Sequence, residues 1–68
     1  MLSARNQLKG TVKSIKLGTI MAQVIVQVGE NEIVAAITRD SVERMKLKEG
    51  DAVTVVIKAT EVMLENEM

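Results

Sequence analysis

Apolar and polar residues alternate along most of this chain with the period of two that is typical of β-strands. Residues 7–16 alternate loosely, and the alternation breaks near Ser14, which predicts a strand with a bulge or bend for which Gly10 is a candidate position. Residues 20–28 are strongly β-branched and interrupted only by two glutamines, a composition that favours a strand mostly covered on both faces. The first part of the chain therefore predicts two strands.

Turn residues separate the predicted strands. Residues 17–19 form a first turn, and residues 29–32 form a hairpin connection to a returning strand at 33–37. A further strand is predicted at 52–59, and residues 61–64 are expected to form a short last strand. The second and third strands are thus expected to be an antiparallel pair.

The period of two ends after the third strand, where a short helix is predicted. Thr38 is the expected N-cap, with Asp40 in the first turn and Ser41 three residues after the cap. The helix is expected to end at residues 48–51, where Gly50 is available for a left-handed cap or a turn. The apolar side of this helix is predicted to contain Ile37, Val42, Met45 and Leu47.

Three strands, a helix and two further strands predict a mainly β fold. This element order fits a five-stranded OB-like barrel with one short helix between strands 3 and 4, in a single domain of residues 1–68. The composition is 47% apolar, with no Cys, His or aromatic residue, so neither a disulfide nor a structural zinc can stabilise the small core. Because one small domain cannot easily hide so much apolar material, the chain is expected to be oligomeric.

Charge and residue types exclude several classes of function. Nine basic and nine acidic residues give a net charge of zero, whereas nucleic-acid binders usually have a basic excess. Without His or Cys, catalysis would depend on carboxylates that lie mostly in predicted turns and in the tail, so no enzyme and no metal cation site is expected. No apolar run reaches the roughly 20 residues of a membrane span, and no signal peptide is recognisable, so a cytoplasmic protein without a membrane partner is expected.

Hydrogen-bond donors are concentrated at three places. Residues 3–12 contain a hydroxyl, a guanidinium, an amide and an ammonium without any acidic residue, a set that suits an anion. The helix start at Thr38 offers N–H groups, and Lys58 places a cation in an otherwise apolar strand. Each feature has an ordinary alternative, namely a solvated terminus, helix capping and a snorkelling side chain. Together they favour a small oxyanion-binding module.

Three segments resemble the molbindin family, whose members are also called Mop proteins. They are SARNQLKGTV at 3–12, IVAAIT-x-x-S at 33–41 and VVIKATEVML at 55–64, and the first is fairly specific to that family. The resemblance extends from Met1 to about Leu64. It implies an OB-like fold assembled as a homohexamer, a trimer of dimers, that binds molybdate or tungstate between subunits.

The resemblance also implies which residues contact the oxyanion. One subunit would supply the first group of donors and a neighbouring subunit would complete the site, and members of the family have a second kind of site near the threefold axis. A dianion requires about two positive charges, which Arg5 and Lys58 would supply. The implied oxyanion-binding residues are Ser3, Ala4, Arg5 and Asn6 with Thr38, Ser41, Lys58, Ala59 and Thr60, and Lys9 is a possible additional one.

The favoured hypothesis is a cytoplasmic protein that binds molybdate or tungstate for storage or homeostasis of molybdenum. A first alternative is an OB-type nucleic-acid-binding module, although such grooves use aromatic stacking that this chain cannot supply. A second alternative is a purely structural oligomerisation module without a small ligand. Titration with the anion separates these readings.

Overall fold

A computed structural model describes residues 4–67 as one antiparallel sheet with one short helix. The strands follow the order β3-β2-β1-β4 in the sheet. The elements are β1 (Asn6–Leu17), β2 (Met21–Val28), β3 (Asn31–Thr38), α1 (Arg39–Met45), β4 (Ala52–Ile57) and a 3₁₀ turn (Ala59–Glu61). No helix within residues 4–67 is long and apolar enough to cross a membrane.

Strand β1 is shared between the two halves of the sheet. Its first half pairs with β4, and its second half pairs with β2. The register of β1 against β2 shifts between Val12 and Ser14, so the predicted bulge is confirmed. Gly10 does not form the bulge, because it pairs with Val53 of β4 in the regular register. A Cβ atom at Gly10 would lie 2.6 Å from the carbonyl oxygen of Gln27, so a glycine is needed where β2 approaches β1 closely.

The hairpin between β2 and β3 is confirmed, and its loop contains only two residues. Val28 pairs with Asn31, which leaves Gly29 and Glu30 as the loop. Gly29 has a φ of 59°, as the first central residue of a type II′ turn requires. The turn thus fixes the register of β3 on β2.

The core lies between the inner face of the sheet and α1. It consists of the buried side chains of Val12, Ala22, Val24, Val26 and Val42. Val42 is the only buried residue of α1 among those described, whereas Met45 on the predicted apolar side is exposed. On the other face of β2, Met21 and Gln23 are exposed, whereas Ile25 and Gln27 are half-buried. The prediction that β2 is mostly covered on both faces therefore fails in a single chain for the first half of the strand.

The helix begins as predicted and ends earlier. Thr38 is the N-cap, and its side-chain oxygen accepts a hydrogen bond from the Ser41 N–H at 3.0 Å. The helix ends at Lys46, which takes the left-handed conformation (φ 54°, ψ 40°) more often taken by glycine. Gly50 is also left-handed, with a φ of 92°, but it belongs to the following turn.

The predicted fifth strand is wrong. After β4 the chain enters the 3₁₀ turn, where the Glu61 N–H donates to the Lys58 carbonyl at 2.9 Å, and residues 62–67 form no strand. This segment has strand-like residue types but no neighbouring strand, and a strand requires a hydrogen-bonded partner. The described fold is consequently a four-stranded open sheet and not a closed barrel, and β3 and β4 are its edges.

Candidate functional site

Two basic residues lie at the end of the sheet where β1 begins and β4 ends. Asn6 pairs with Ile57 at the end of the β1–β4 ladder, and Arg5 and Lys58 are the next residues beyond this pair, at the same end of the sheet. Strand alternation puts both on the outer face, and both are exposed. Ala4, which is half-buried, precedes Arg5, and Ala59 begins the 3₁₀ turn after Lys58.

The two cations of this end are not neutralised by the described chain. Ion pairs within residues 4–67 join Lys13 to Glu32, Arg39 to Glu43, Arg44 to Asp40 and Lys48 to Asp51. Neither Arg5 nor Lys58 belongs to any of these pairs. Like charges at the same end of a sheet repel each other, so an anion that accepts hydrogen bonds from both would relieve their repulsion.

Further donors and acceptors surround this pair of cations. Asn6 is half-buried on the inner face next to Arg5, and Thr60 is exposed in the 3₁₀ turn after Lys58. The first N–H groups of a 3₁₀ turn have no partner within the turn, so Ala59 and Thr60 also offer backbone donors. We call Ala4, Arg5, Asn6, Lys58, Ala59 and Thr60 together the Arg5 cluster.

The hydroxyls of Thr38 and Ser41 form a second group, which we call the Thr38 cluster. The Thr38 hydroxyl donates to Ser41 Oγ at 2.8 Å while it accepts from the Ser41 N–H, so its hydrogen bonds hold the start of α1. A neighbouring hollow of about 440 Å³ is lined by Thr19, Ile20, Thr38, Arg39, Asp40 and Glu43. Since the carboxylate of Glu43 neutralises Arg39, this hollow attracts an anion less strongly than the Arg5 cluster does.

One chain does not bring the two clusters together. Thr38 pairs with Met21 at the end of the sheet where β1 finishes, whereas Arg5 precedes the start of β1. The 12 residues of β1 separate these ends, a contour of about 36 Å at about 3.3 Å per residue. Within one chain Lys58 lies beside Arg5 and not beside Thr38 and Ser41. A single ion can therefore contact both clusters only if a second copy supplies one of them.

Two predicted residues fall outside these clusters. Lys9 is exposed on the outer face opposite Thr54, four residues from Arg5 and hence about 13 Å away along the strand. Ser3 lies outside the described residues, 4–67.

Sequence reasoning missed two residues beside these clusters. Gln7 lies opposite Val56 on the outer face, between Arg5 and Lys9, and the period of two beginning at Arg5 could have identified it. Arg39 follows Thr38 directly, and its guanidinium donates to Glu43 at 3.2 Å and to the Gly18 carbonyl at 3.3 Å. Both side chains are additional candidates for contact with an anion.

Residues that could bind a metal cation are scarce in the described chain. Residues 4–67 contain no group of three or more His, Cys, Asp or Glu side chains close enough to hold a metal ion. The donors collected at the Arg5 cluster are N–H and O–H groups, which bind oxygen atoms of anions rather than cations.

Comparison with known proteins assigns the chain to a family. The model of the TOBE domain matches residues 2–64. The chain belongs to the TOBE domain family. Molybdenum-pterin-binding protein 1 of Clostridium pasteurianum is a relative of this chain. The two sequences are 50% identical over 64 residues, which cover 93% of this chain and 94% of the relative. The sequence resemblance to the molbindin or Mop proteins is thereby confirmed.

Solved structures share the fold of this chain. A molybdate-binding protein from Sporomusa ovata has a TM-score of 0.94 and 45% identity, and the match covers 97% of this chain and 98% of that one. The cytoplasmic molybdate-binding protein ModG, in a crystal form with molybdate bound, has a TM-score of 0.81 and 42% identity, over 87% of this chain and 43% of that one. The relatives are named as binding proteins and not as enzymes.

Proposed function

We propose that this chain is a molbindin-type protein, a single domain of residues 1–68, that binds molybdate or tungstate at a site shared between copies. The observation that carries the proposal is the pair of unneutralised cations Arg5 and Lys58 at one end of the sheet. Molybdate and tungstate are dianions at neutral pH, so two cations match their charge. Molybdate binding by the relatives in Sporomusa ovata and by ModG supports the same ligand here.

A second copy completes the site in this proposal. The Arg5 cluster supplies the charge, and the Thr38 cluster of a neighbouring copy supplies the Ser41 hydroxyl, because the Thr38 hydroxyl is already used within α1. Charge-assisted hydrogen bonds at a partly dry boundary are about twice as strong as neutral ones. The site is thus incomplete in one chain, which couples binding to assembly.

The dimensions of the chain support assembly. Its accessible surface is 5865 Å² for a mass of 7.4 kDa, whereas a compact monomer of this mass exposes about 4200 Å². Its radius of gyration is 12.9 Å, against about 11 Å for a compact domain of this length. The excess of about 1700 Å² in one chain is roughly twice the area of about 800 Å² that each partner buries in a standard interface, and it falls in the range of obligate assemblies. We propose a homohexamer built as a trimer of dimers.

The biological role in this proposal is storage or homeostasis of molybdenum in the cytoplasm. ModG is named as a cytoplasmic molybdate-binding protein, which supports this compartment. The protein performs no reaction on its ligand. It releases molybdate or tungstate chemically unchanged.

Isothermal titration of the purified protein with molybdate and tungstate tests the proposal. Heat at micromolar anion is expected, and Arg5→Ala or Lys58→Ala is expected to weaken binding by at least tenfold, because a hydrogen bond to a charged group contributes about 1.5–3 kcal/mol. Lys16→Ala is the matched control, since Lys16 is an exposed cation of the same strand near its other end.

Three results decide between the readings. Normal binding by Lys16→Ala with weak binding by Arg5→Ala supports the Arg5 cluster. Unchanged binding by both Arg5→Ala and Lys58→Ala would show that the anion binds elsewhere. No heat with either anion would overturn the proposal and leave the nucleic-acid-binding module and the structural oligomerisation module as alternatives.

A further inference from the structure

One carboxylate belongs to the same turn as Lys58. Glu61 ends the 3₁₀ turn, and its N–H donates to the Lys58 carbonyl at 2.9 Å. Residues joined in this way have their Cα atoms less than about 7 Å apart. Glu61 is also the acidic residue closest to Lys58 in the sequence, since the next ones are Asp51 and Glu65. A negative side chain is therefore held beside one of the two cations of the Arg5 cluster.

The Glu61 carboxylate is close to Lys58 without being bound to it. The ion pairs of the described chain include neither Glu61, Lys58 nor Arg5. Glu61 also makes none of the side-chain hydrogen bonds found among the described residues. The side chains of Glu61 and Lys58 are both exposed, and each has several rotatable bonds, so the carboxylate can approach the ammonium group or point away from it. Lys58 thus has a counter-ion within reach that is not fixed in place.

An oxyanion at the Arg5 cluster changes the interactions of Glu61. Without the anion, the carboxylate can partly balance the charge of Lys58. With a dianion bound to Arg5 and Lys58, the same carboxylate is repelled by two like charges. A unit negative charge about 7 Å from a dianion weakens its binding by about eightfold in water without salt, and by about twofold at physiological salt. Both effects of Glu61 oppose the bound anion.

We propose that Glu61 sets the affinity of the oxyanion site by competing with the ligand for Lys58. The carboxylate approaches the ammonium group when the site is empty, and it gives up this contact when the anion binds. Binding is then weaker, and release faster, than two cations alone would allow. A store must release its ion, so such competition suits the storage role. The inference deepens the proposed function and rests on it, since it concerns the same site.

Titration of Glu61→Gln with molybdate tests this role. Glutamine keeps the length of the side chain and a hydrogen-bonding group at its end, and it removes the charge. We expect the Kd for molybdate to fall by about fivefold in about 0.01 M salt, where the Debye length of about 30 Å leaves the repulsion nearly unscreened.

Glu49→Gln is the matched control. Glu49 is an exposed carboxylate in the turn before β4, whereas Glu61 follows that strand. The six residues of β4 separate the two by about 20 Å, and both substitutions change the net charge equally. The Kd of Glu49→Gln is therefore expected to change by less than about twofold. An equal fall of Kd in both variants would overturn the inference, because net charge rather than the position of Glu61 would then determine the affinity.

Salt separates charge repulsion from a change in the shape of the site. In about 1 M salt the Debye length is about 3 Å, so the Kd values of Glu61→Gln and of the unsubstituted protein are expected to agree within about 1.5-fold. Glu61→Asp keeps the charge and is expected to bind within about twofold of the unsubstituted protein at either salt concentration. A gain in affinity of Glu61→Gln that persists in 1 M salt would overturn the electrostatic competition.

The titrations distinguish a failure of this inference from a failure of the proposed function. Equal Kd values for Glu61→Gln and the unsubstituted protein at low salt would overturn the role of Glu61 and leave the oxyanion site intact. Binding by Glu61→Gln alone would support the role of Glu61 and overturn molybdate binding by the native chain. No heat from either protein would overturn both.

Discussion

Basic side chains of this protein differ in whether a carboxylate of the described chain neutralises them. Arg39 and Arg44 form pairs with carboxylates four residues away on the same helix. Such exposed pairs contribute only about 0.3–0.5 kcal/mol to stability, so their larger effect is to cancel charge near Thr38. Arg5 and Lys58 have no such carboxylate within the described chain, and this difference is the reason we propose the anion site there.

The left-handed conformation of Lys46 provides a test at the same scale. The left-handed conformation destabilises the folded state by about 1–2 kcal/mol when the residue is not glycine. Glycine removes this strain, but its greater freedom in the unfolded chain offsets about 0.4–1 kcal/mol of the gain. Lys46→Gly is therefore expected to raise the free energy of unfolding by about 0.5–1 kcal/mol, measured by urea denaturation.

Lys48→Gly is the control for this substitution. Lys48 is also an exposed lysine near the end of α1, but its φ is not positive. Glycine there relieves no strain and only adds freedom to the unfolded chain, so no stabilisation is expected. An equal gain from both substitutions would refute the role of the left-handed cap.

At the scale of helices and strands, the sequence predicted those features that depend on contacts between residues close together in the chain. The N-cap at Thr38, the hairpin at Gly29 and the bulge after Val12 depend on residues within a few positions, and all three are confirmed. The role of Gly10 and the state of residues 62–64 depend on distant strands. A period of two cannot reveal which strand crosses close to Gly10, or whether a strand-like segment finds a partner.

The same limit applies to the candidate site. The sequence named the donors, but the separation of Thr38 from Arg5 follows from the register of β1 with β2 and β4. The placement of Lys58 beside Arg5 follows from the same register, whereas the resemblance grouped Lys58 with Thr38 on a neighbouring copy. Spacing along the chain does not contain this information.

Gly10→Ala tests the close approach of β2 to β1. The new methyl group would lie 2.7 Å from Val26 Cγ1 and 2.6 Å from the Gln27 carbonyl oxygen, so the strands must separate. Overpacking of this kind costs about 1–3 kcal/mol in the free energy of unfolding, which urea denaturation measures. Lys9→Ala, an exposed neighbour, is expected to change it by less than about 0.5 kcal/mol. A Gly10→Ala protein as stable as the unsubstituted one would disprove the close contact.

At the scale of the whole molecule, the described core of a single chain is small. Its described core contains five buried apolar side chains, none larger than valine. Such a core offers limited stabilisation to a chain without disulfides or metal. Among the described residues, the exposed apolar side chains of the outer face and of residues 62–64 are the remaining source of burial, which fits the assembly that we propose.

Ligand-linked stability follows from a site shared between copies. A ligand that binds only the folded assembly stabilises it by about 2.7 kcal/mol per site at a free concentration of 100 times Kd. Because about 1 kcal/mol shifts the midpoint of a domain of this size by about 4–8 °C, molybdate is expected to raise Tm by about 11–22 °C in calorimetry. Sulfate at the same concentration is the control of charge and shape, and Arg5→Ala should abolish the rise.

The dependence of this shift on protein concentration distinguishes a shared site from one within a single copy. If two copies supply the donors, molybdate must also favour association, so its effect on the sedimentation mass should be largest in dilute protein, where copies separate. A ligand held by one copy alone would raise Tm without changing the association constant. That result would require Thr38 and Arg5 to bind separate ions, since β1 keeps them apart in one chain.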